Sequence, residues 1–197
     1  MRSAISIWVL FSTAAAFPGE SMNVAVCNVG HIPDAVIEHA ETETAYVFRS
    51  MDVEIHWTDC GAVGAEDARM RPDFIVRVRV GGHFTKAGPL SLEAMGRAFL
   101  DSADDGFMAD TYYGAIHELA LLCPIAEGDQ LLGYTIAHEL GHLLIGRGHR
   151  PNGIMRAAWG KPELEALKQR RLKFNQAERA AILSKLRMRV SSGSPMP

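Results

Sequence analysis

Several protein classes are excluded by what this sequence lacks. Three cysteines in 197 residues are too few and too scattered for a four-cysteine zinc site. The net charge of −3, with both signs mixed along the chain, provides no basic stripe for a phosphate backbone, so we expect no nucleic-acid partner. No apolar run reaches the roughly 20 residues that a membrane-spanning helix needs, so we expect no membrane span.

The remaining composition is that of one compact domain. A hydrophobic fraction of 48% and a charged fraction of 22% suit one globular domain with a real core. No internal repeat or composition shift marks a linker. We therefore predict a single monomeric domain over residues 17–190 and a disordered tail over 191–197.

The N-terminus has the pattern of a signal peptide. Arg2 precedes an apolar run over residues 4–11, and small residues follow at Ala14 and Ala16. We predict cleavage after residue 16 and a secreted or periplasmic protein. The alternative for this stretch is a buried N-terminal strand.

The odd number of cysteines predicts one disulfide and one thiol in an exported protein. Cys27 lies within the apolar run 24–29 and is interpreted as a small core residue. This interpretation leaves Cys60 and Cys123 as the expected pair.

Periodicity predicts an alternation of strands and helices. Strands are expected over residues 23–29, 53–58 and 73–80, with a short edge strand over 96–100. Helices are expected over 34–51, 112–122, 131–145 and 176–190, the last begun by a capping box of Asn175 and Glu178. The helix 131–145 is apolar on most sides, which indicates burial.

An acidic stretch precedes the second of these helices. Asp101, Asp104, Asp105 and Asp110 offer oxygen ligands, but their spacing does not match the EF-hand pattern. We interpret the stretch as a solvated loop, with calcium binding as the alternative.

The chemistry concentrates in residues 138–142, H-E-L-G-H. On a helix, His138 and His142 lie four positions apart and project from one face, which suits a divalent metal. Glu139 is rotated by about a quarter turn, so its carboxylate is expected beside the metal as a base. Unliganded histidines in so apolar a helix would carry a desolvation cost that a metal relieves.

A catalytic zinc needs a third protein ligand and an open position for water. His149 follows Gly146 and Gly148, which permit the chain to turn back from the helix end. The segment HELGHLLIGRGH, with Gly153, Ile154 and Met155 after it, resembles the metzincin metallopeptidases, with their motif H-E-x-x-H-x-x-G-x-x-H and methionine turn. It is also similar to segments of bacterial secreted proteins that carry HELGHLL followed by GIM.

The resemblance implies an α+β, zincin-like fold: a small mixed sheet with a backing helix, an active-site helix and a C-terminal helix. It implies Zn²⁺ as the cofactor, His138, His142 and His149 as its ligands, and Glu139 as the general base. Met155 would be the methionine of the turn. The sequence departs from the motif by one additional residue between His142 and His149, and this leaves Glu163 or Glu165 as the rival third ligand, as in thermolysin-like enzymes.

We therefore predict a secreted zinc metallopeptidase, a hydrolase that acts on peptides or proteins through a zinc-bound water with Glu139 as base. Two alternatives remain. One is a secreted zinc-binding partner protein without turnover, in which a closed metal site serves as a structural staple. The other is a zinc amidase that acts on cell-wall peptides.

Overall fold

The computed structural model describes residues 19–61, 72–81 and 95–192, which form a sheet surrounded by helices. The strands in these ranges are β1 Glu20–Asn28, β2 Val53–Asp59, β3 Phe74–Arg79, β4 Gly96–Phe99 and β5 Met108–Tyr112. The helices there are α1 Asp34–Arg49, α2 Tyr113–Leu122, α3 Gly128–Ile145, α4 Lys161–Lys168 and α5 Gln176–Ser192.

The sheet is mixed, with the order β2-β1-β3-β5-β4. The first four strands in this order pair in parallel, and β4 is the antiparallel edge strand. Side chains alternate between the two faces, so Phe74, Val76 and Val78 of β3 are buried while the residues between them are half-buried. The buried face packs against α1 and α3.

Helix α3 is the centre of the molecule. It contacts all four other helices and three strands, and each of its residues from 131 to 144 is buried. Its burial confirms the prediction from its nearly uniform apolar character. The predicted cap of α5 is also present: Glu178 N–H donates to Asn175 Oδ1 at 3.0 Å, and Asn175 N–H donates to Glu178 Oε2 at 2.7 Å.

Two elements differ from the sequence expectation. The acidic stretch was interpreted as a loop, but its end forms strand β5. Helix α4 was expected only under the alternative in which a glutamate is the third ligand. The sequence of β5, MADTY, carries a charge in its middle. Asp110 is nevertheless 4% exposed, because Arg77 Nε lies 2.5 Å and Arg79 Nη1 lies 3.4 Å from its carboxylate oxygens. Because both arginines belong to the neighbouring strand β3, the sequence around Asp110 does not show that its charge is compensated.

The predicted cysteine pairing is wrong. The disulfide joins Cys27 to Cys60, and Cys123 is a free, half-buried thiol. Strands β1 and β2 are parallel neighbours, and Cys60 N–H donates to Val26 O at 3.2 Å just past the end of β2. This pairing brings the two cysteine Cα atoms to 5.0 Å, within the usual range for a disulfide.

The predicted signal peptide, residues 1–16, lies outside the described residues, as does the end of the predicted tail. Helix α5 continues to Ser192, two residues beyond its predicted end, and so includes the first two residues assigned to that tail. Over the described ranges, no helix has the length and apolar character needed to cross a membrane.

Candidate metal centre

Three histidine nitrogens converge at the C-terminal half of α3. The Nε2 atom of His142 lies 3.1 Å from Nε2 of His138 and 3.3 Å from Nε2 of His149. Of the described residues, these three form the group that could hold a metal ion, with all ligand atoms within 4.8 Å of one another. The spacing of four along the helix brings the first pair together, as the sequence predicts.

Backbone carbonyls fix the orientation of the two helical histidines. His138 Nδ1 lies 2.7 Å from Ile154 O, and His142 Nδ1 lies 3.1 Å from Gly146 O. Because a carbonyl oxygen only accepts, each Nδ1 carries the proton, and each Nε2 presents a lone pair to the common point. Two rings in this state cannot hydrogen-bond to each other through Nε2.

Burial keeps both rings neutral. It lowers the pKa of His138 to about 4, an effect that the bond to Ile154 O opposes. The pKa of His142 is also lowered, chiefly by burial. Both residues are 9% exposed, so the site has little access to water. Because the rings are neutral, their Nε2 lone pairs are available to a metal at neutral pH.

His149 reaches the group from a turn rather than from the helix. Gly146 and Gly148 have φ angles of +83° and +93°, a conformation that side chains other than glycine rarely adopt. The helix ends at Ile145, and the chain returns with His149 exposed at the mouth of the site. The additional residue between His142 and His149 therefore does not keep the third ring from the other two.

Glu139 lies beside the histidines and is 4% exposed. Burial raises the pKa of its carboxyl to about 8, while a hydrogen bond from the Ala98 N–H of β4 acts in the opposite direction. Gly96 of the same strand lies so close that a Cβ there would be 2.5 Å from Glu139 Oε1. The edge strand thus forms the wall against which this carboxylate rests.

Met155 lies beneath the helix and is fully buried. Its Sδ would be 2.5 Å from a Cβ at Gly141, and its carbonyl accepts from Arg150 N–H at 2.8 Å. The preceding residue, Ile154, supplies the carbonyl that orients His138. The segment 153–155 therefore packs against α3 and orients one of its histidines.

The rival ligands lie elsewhere. Glu163 caps α4 by accepting from Gly160 N–H at 2.8 Å, and it also pairs with Arg156 Nη1 at 2.5 Å. Glu165 is exposed and lies 3.8 Å from Lys161 Nζ. Neither belongs to the group of metal-competent side chains.

The acidic stretch is divided between two roles. Asp101, Asp104 and Asp105 are exposed in the β4–β5 loop, where Asp104 pairs with Arg147 and Asp105 with Lys185. Asp110 is buried in β5. The four carboxylates therefore do not converge as a calcium site would require.

A cleft of about 590 Å³ opens beside the three histidines. Its walls include Glu139, the strand β4 and residues of the segment after α3, namely Arg147, Gly148, Arg156, Ala157 and Trp159. Four tetrahedral ligands at the usual Zn–N distance are about 3.3–3.4 Å apart. The two separations from His142 Nε2, 3.1 and 3.3 Å, are close to that spacing, and the group faces the cleft.

Sequence reasoning missed three features of the site. Trp159 is 7% exposed, its indole N–H donates to Ile154 O at 3.1 Å, and its ring packs edge-on against His138. The other two are the Ala98 N–H and the space at Gly96. A tryptophan four residues after the methionine was a visible signal, whereas backbone groups leave none.

The comparisons with known proteins concern the fold. No protein-family model and no curated protein matches the sequence. An archaemetzincin structure from Methanopyrus kandleri matches over 88% of this chain and 99% of its own, with 14% identity and a TM-score of 0.51. The fold is zincin-like. This confirms the fold predicted from the motif.

A second solved structure, metalloproteinase-II from Bacteroides fragilis, has 15% identity to this chain and a TM-score of 0.49. That match covers 88% of this chain and 55% of the other.

Proposed function

We propose that this protein is a zinc-dependent peptidase. The observation that carries the proposal is the convergence of three imidazole Nε2 atoms at 3.1 and 3.3 Å beside a buried carboxylate in an open cleft. The metzincin-like motif and the zincin-like fold support it independently of these distances.

His138, His142 and His149 would hold the metal. Zinc bound there would supply a Lewis acid that polarises a substrate carbonyl and makes water acidic enough to attack near neutral pH. The Nδ1 hydrogen bonds of His138 and His142 keep both rings in the ligand tautomer before the metal arrives.

Glu139 is the proposed general base and then the general acid. Beside a cation held by the three histidines the carboxyl would ionise despite its burial; the carboxylate then accepts a proton from the attacking water and passes that proton to the leaving amine. Contact with β4 limits its movement, so the carboxylate is held on the cleft side of the histidines. Its 4% exposure limits competition from bulk water for that proton.

The substrate is proposed to be a peptide that lies along β4. This strand is at the edge of the sheet and lines the cleft, so an extended chain can add to it through backbone hydrogen bonds. An amidase that acts on cell-wall peptides would use the same groups, and the choice between the two is one of substrate alone.

A structural zinc site is the less favoured alternative. Such a site normally has four protein ligands, whereas the described part of the chain contributes three histidines with a cleft on the remaining side. No ion pair of the described residues involves Glu139, and a structural staple gives a buried carboxylate beside the metal no role.

We further propose that the protein is exported. The signal-peptide pattern of residues 1–16 motivates this proposal. The Cys27–Cys60 disulfide supports it, because such bonds persist in oxidising compartments.

The test compares zinc content and cleavage of a mixed peptide library for the wild type, Glu139→Gln and His149→Ala. We expect Glu139→Gln to keep its zinc and lose activity by about 10²-fold or more, because only the base is removed. His149→Ala should lose zinc, while Glu163→Ala, the matched control for the rival ligand, should retain it.

Zinc-loaded wild type that cleaves no peptide and no cell-wall fragment would favour the non-catalytic alternative. Retention of full zinc by His149→Ala with its loss in Glu163→Ala would show that the third ligand is wrong.

A further inference from the structure

Arg147 occupies the turn between α3 and His149 and makes three hydrogen bonds away from the metal centre. Its Nη1 lies 2.5 Å from Asp104 Oδ1. Its Nη2 donates to Leu100 O at 2.9 Å and to Asp101 O at 2.5 Å. One guanidinium thus links the turn to the loop that follows β4.

The turn that carries Arg147 serves two histidines. Gly146 O, directly before Arg147, accepts from His142 Nδ1, and His149 follows two residues later. Both neighbours of Arg147 are glycines with positive φ angles, so they add conformational freedom and contribute no side chain that could hold the turn. An external anchor is needed to hold such a segment in one position.

The β4–β5 loop is a suitable anchor because its own contacts hold it. Asp101 Oδ1 accepts from the N–H groups of Ala103 and Asp105 at 2.7 and 3.0 Å. The turn also packs closely on this loop, since a Cβ at Gly146 would lie 3.1 Å from Asp104 Cβ.

We propose that Arg147 is a positioning residue of the metal centre: by clamping the turn onto the loop after β4, it holds His149 and the carbonyl behind His142 in ligand geometry. The additional residue between His142 and His149 lengthens this turn, and the clamp offsets the freedom that it adds. This inference rests on the proposed metal site. The same clamp ties the edge strand, where the substrate is proposed to lie, to the third ligand.

The planar guanidinium of Arg147, with its several N–H donors, positions the turn; its positive charge alone would not. An exposed ion pair such as Arg147–Asp104, with side chains 54% and 48% exposed, adds little to stability by itself. A lysine retains the charge but cannot reach an aspartate and two carbonyls together, so it should rescue only part of the function.

Zinc affinity by chelator competition is the decisive measurement, made on the full chain of the wild type, Arg147→Ala, Arg147→Lys and Lys185→Ala. We expect Arg147→Ala to weaken zinc binding by about 10-fold or more, which is the usual effect of removing a partner that orients ligands. Arg147→Lys should fall between that variant and the wild type. Lys185→Ala removes an ion pair of the same loop without touching the turn, and its affinity should stay within about twofold of the wild type.

Substitution of Co²⁺ gives a readout that does not depend on activity. The visible spectrum of the Arg147→Ala protein should change in position or intensity, because the coordination geometry of His149 has loosened, while that of Lys185→Ala should match the wild type.

Zinc affinity and a cobalt spectrum of Arg147→Ala that equal those of Lys185→Ala would overturn the inference. If Arg147→Ala fails to fold by circular dichroism, Arg147→Lys decides by the same two measurements. If the wild type binds no zinc, the proposed function itself is contradicted. If the wild type binds zinc and Arg147→Ala binds it equally well, only the clamp is contradicted.

Discussion

Gly96 shows how a single missing side chain makes room for the proposed general base. The carboxylate of Glu139 occupies the space where a Cβ of residue 96 would project, with Oε1 at 2.5 Å from that position. Because Gly96 belongs to the edge strand and Glu139 to the central helix, this contact sets how closely the strand approaches the metal centre. Neither residue alone reveals the contact in the sequence.

Gly96→Ala is predicted to lower kcat by about 10-fold or more, since a small displacement of a catalytic group costs that much. Zinc content should stay at the wild-type level, because the three atoms nearest to a Cβ at residue 96 all belong to Glu139 and none to a histidine. Gly81→Ala is the matched control, since a Cβ at Gly81 would meet nothing within 4 Å. Equal kcat values for the two alanine variants would mean that Glu139 has room to move without loss of function.

The histidines of the site depend on groups beyond those that face the metal. Ile154 O accepts from both His138 Nδ1 and the Trp159 indole, so one carbonyl joins the segment around Met155 to the ligand set. The ring of Trp159 also limits the rotation of His138. These contacts explain why the segment after α3 matters although it contributes no ligand beyond His149.

At the scale of elements, the packing of α1 against α3 includes an ionisable pair. His39 Nδ1 of α1 lies 2.5 Å from Asp129 Oδ2, in the first turn of α3, and His39 Nε2 lies 3.4 Å from Glu43 Oε1. The hydrogen bond to Asp129 is the main cause that raises the pKa of His39 above its ordinary value of 6.5. The carboxylate of Asp129 therefore favours the protonated form of the ring, and the hydrogen bond between them links the two helices.

The raised pKa fixes the direction of a pH effect. His39 stabilises the fold fully below its unfolded pKa, and this contribution is lost as pH rises through the higher folded pKa. We predict that the wild type exceeds His39→Asn in free energy of unfolding by more at pH 5.5 than at pH 9. Urea denaturation of both proteins at the two pH values provides the measurement.

The two proteins share every other titratable group, so the contributions of those groups cancel in this comparison. A difference that grows toward pH 9 would contradict the assignment of the charged pair, and a difference independent of pH would show that His39 contributes by packing alone.

At the scale of the whole molecule, the disulfide joins two neighbouring strands at one side of the sheet. The bond between Cys27 and Cys60 closes a loop with a sequence separation of 33, which encloses α1 and β2. Since this loop carries the backing helix, its restriction in the unfolded chain favours the arrangement on which α3 packs.

The double variant Cys27→Ser/Cys60→Ser should lose about 3–4 kcal/mol of unfolding free energy, as chain-entropy arguments give for a loop of this size. Cys123→Ser is the control and should change little. The assignment is checked by titrating thiols in denaturant without reductant: the wild type should show one thiol and Cys123→Ser none. Thiols in the denatured Cys123→Ser protein would disprove the pairing.

Much of the fold could be read from local patterns. The strands β1, β2 and β3, the helix α1 and the capping box of α5 follow from alternation, helical spacing and the pair Asn175 and Glu178, all of which act over a few residues. Strand β5 could not be read in this way, because Asp110 is buried only through the arginines of β3. The same holds for the disulfide, since strand order decides which cysteines meet.

The sequence alone predicts the pair His138 and His142 and the placement of Glu139 beside them, because the period of the helix fixes which side chains share a face. It also gave good reason to expect His149, through the glycines that permit the turn. The tertiary structure was needed to show that the carbonyls of Ile154 and Gly146 orient these rings and that the edge strand confines Glu139. The physical reason is the separation along the chain of the groups that interact. A helix repeats within four residues, whereas the carbonyls, the wall at Gly96 and the clamp of Arg147 act between segments that only the folded sheet and helices bring together.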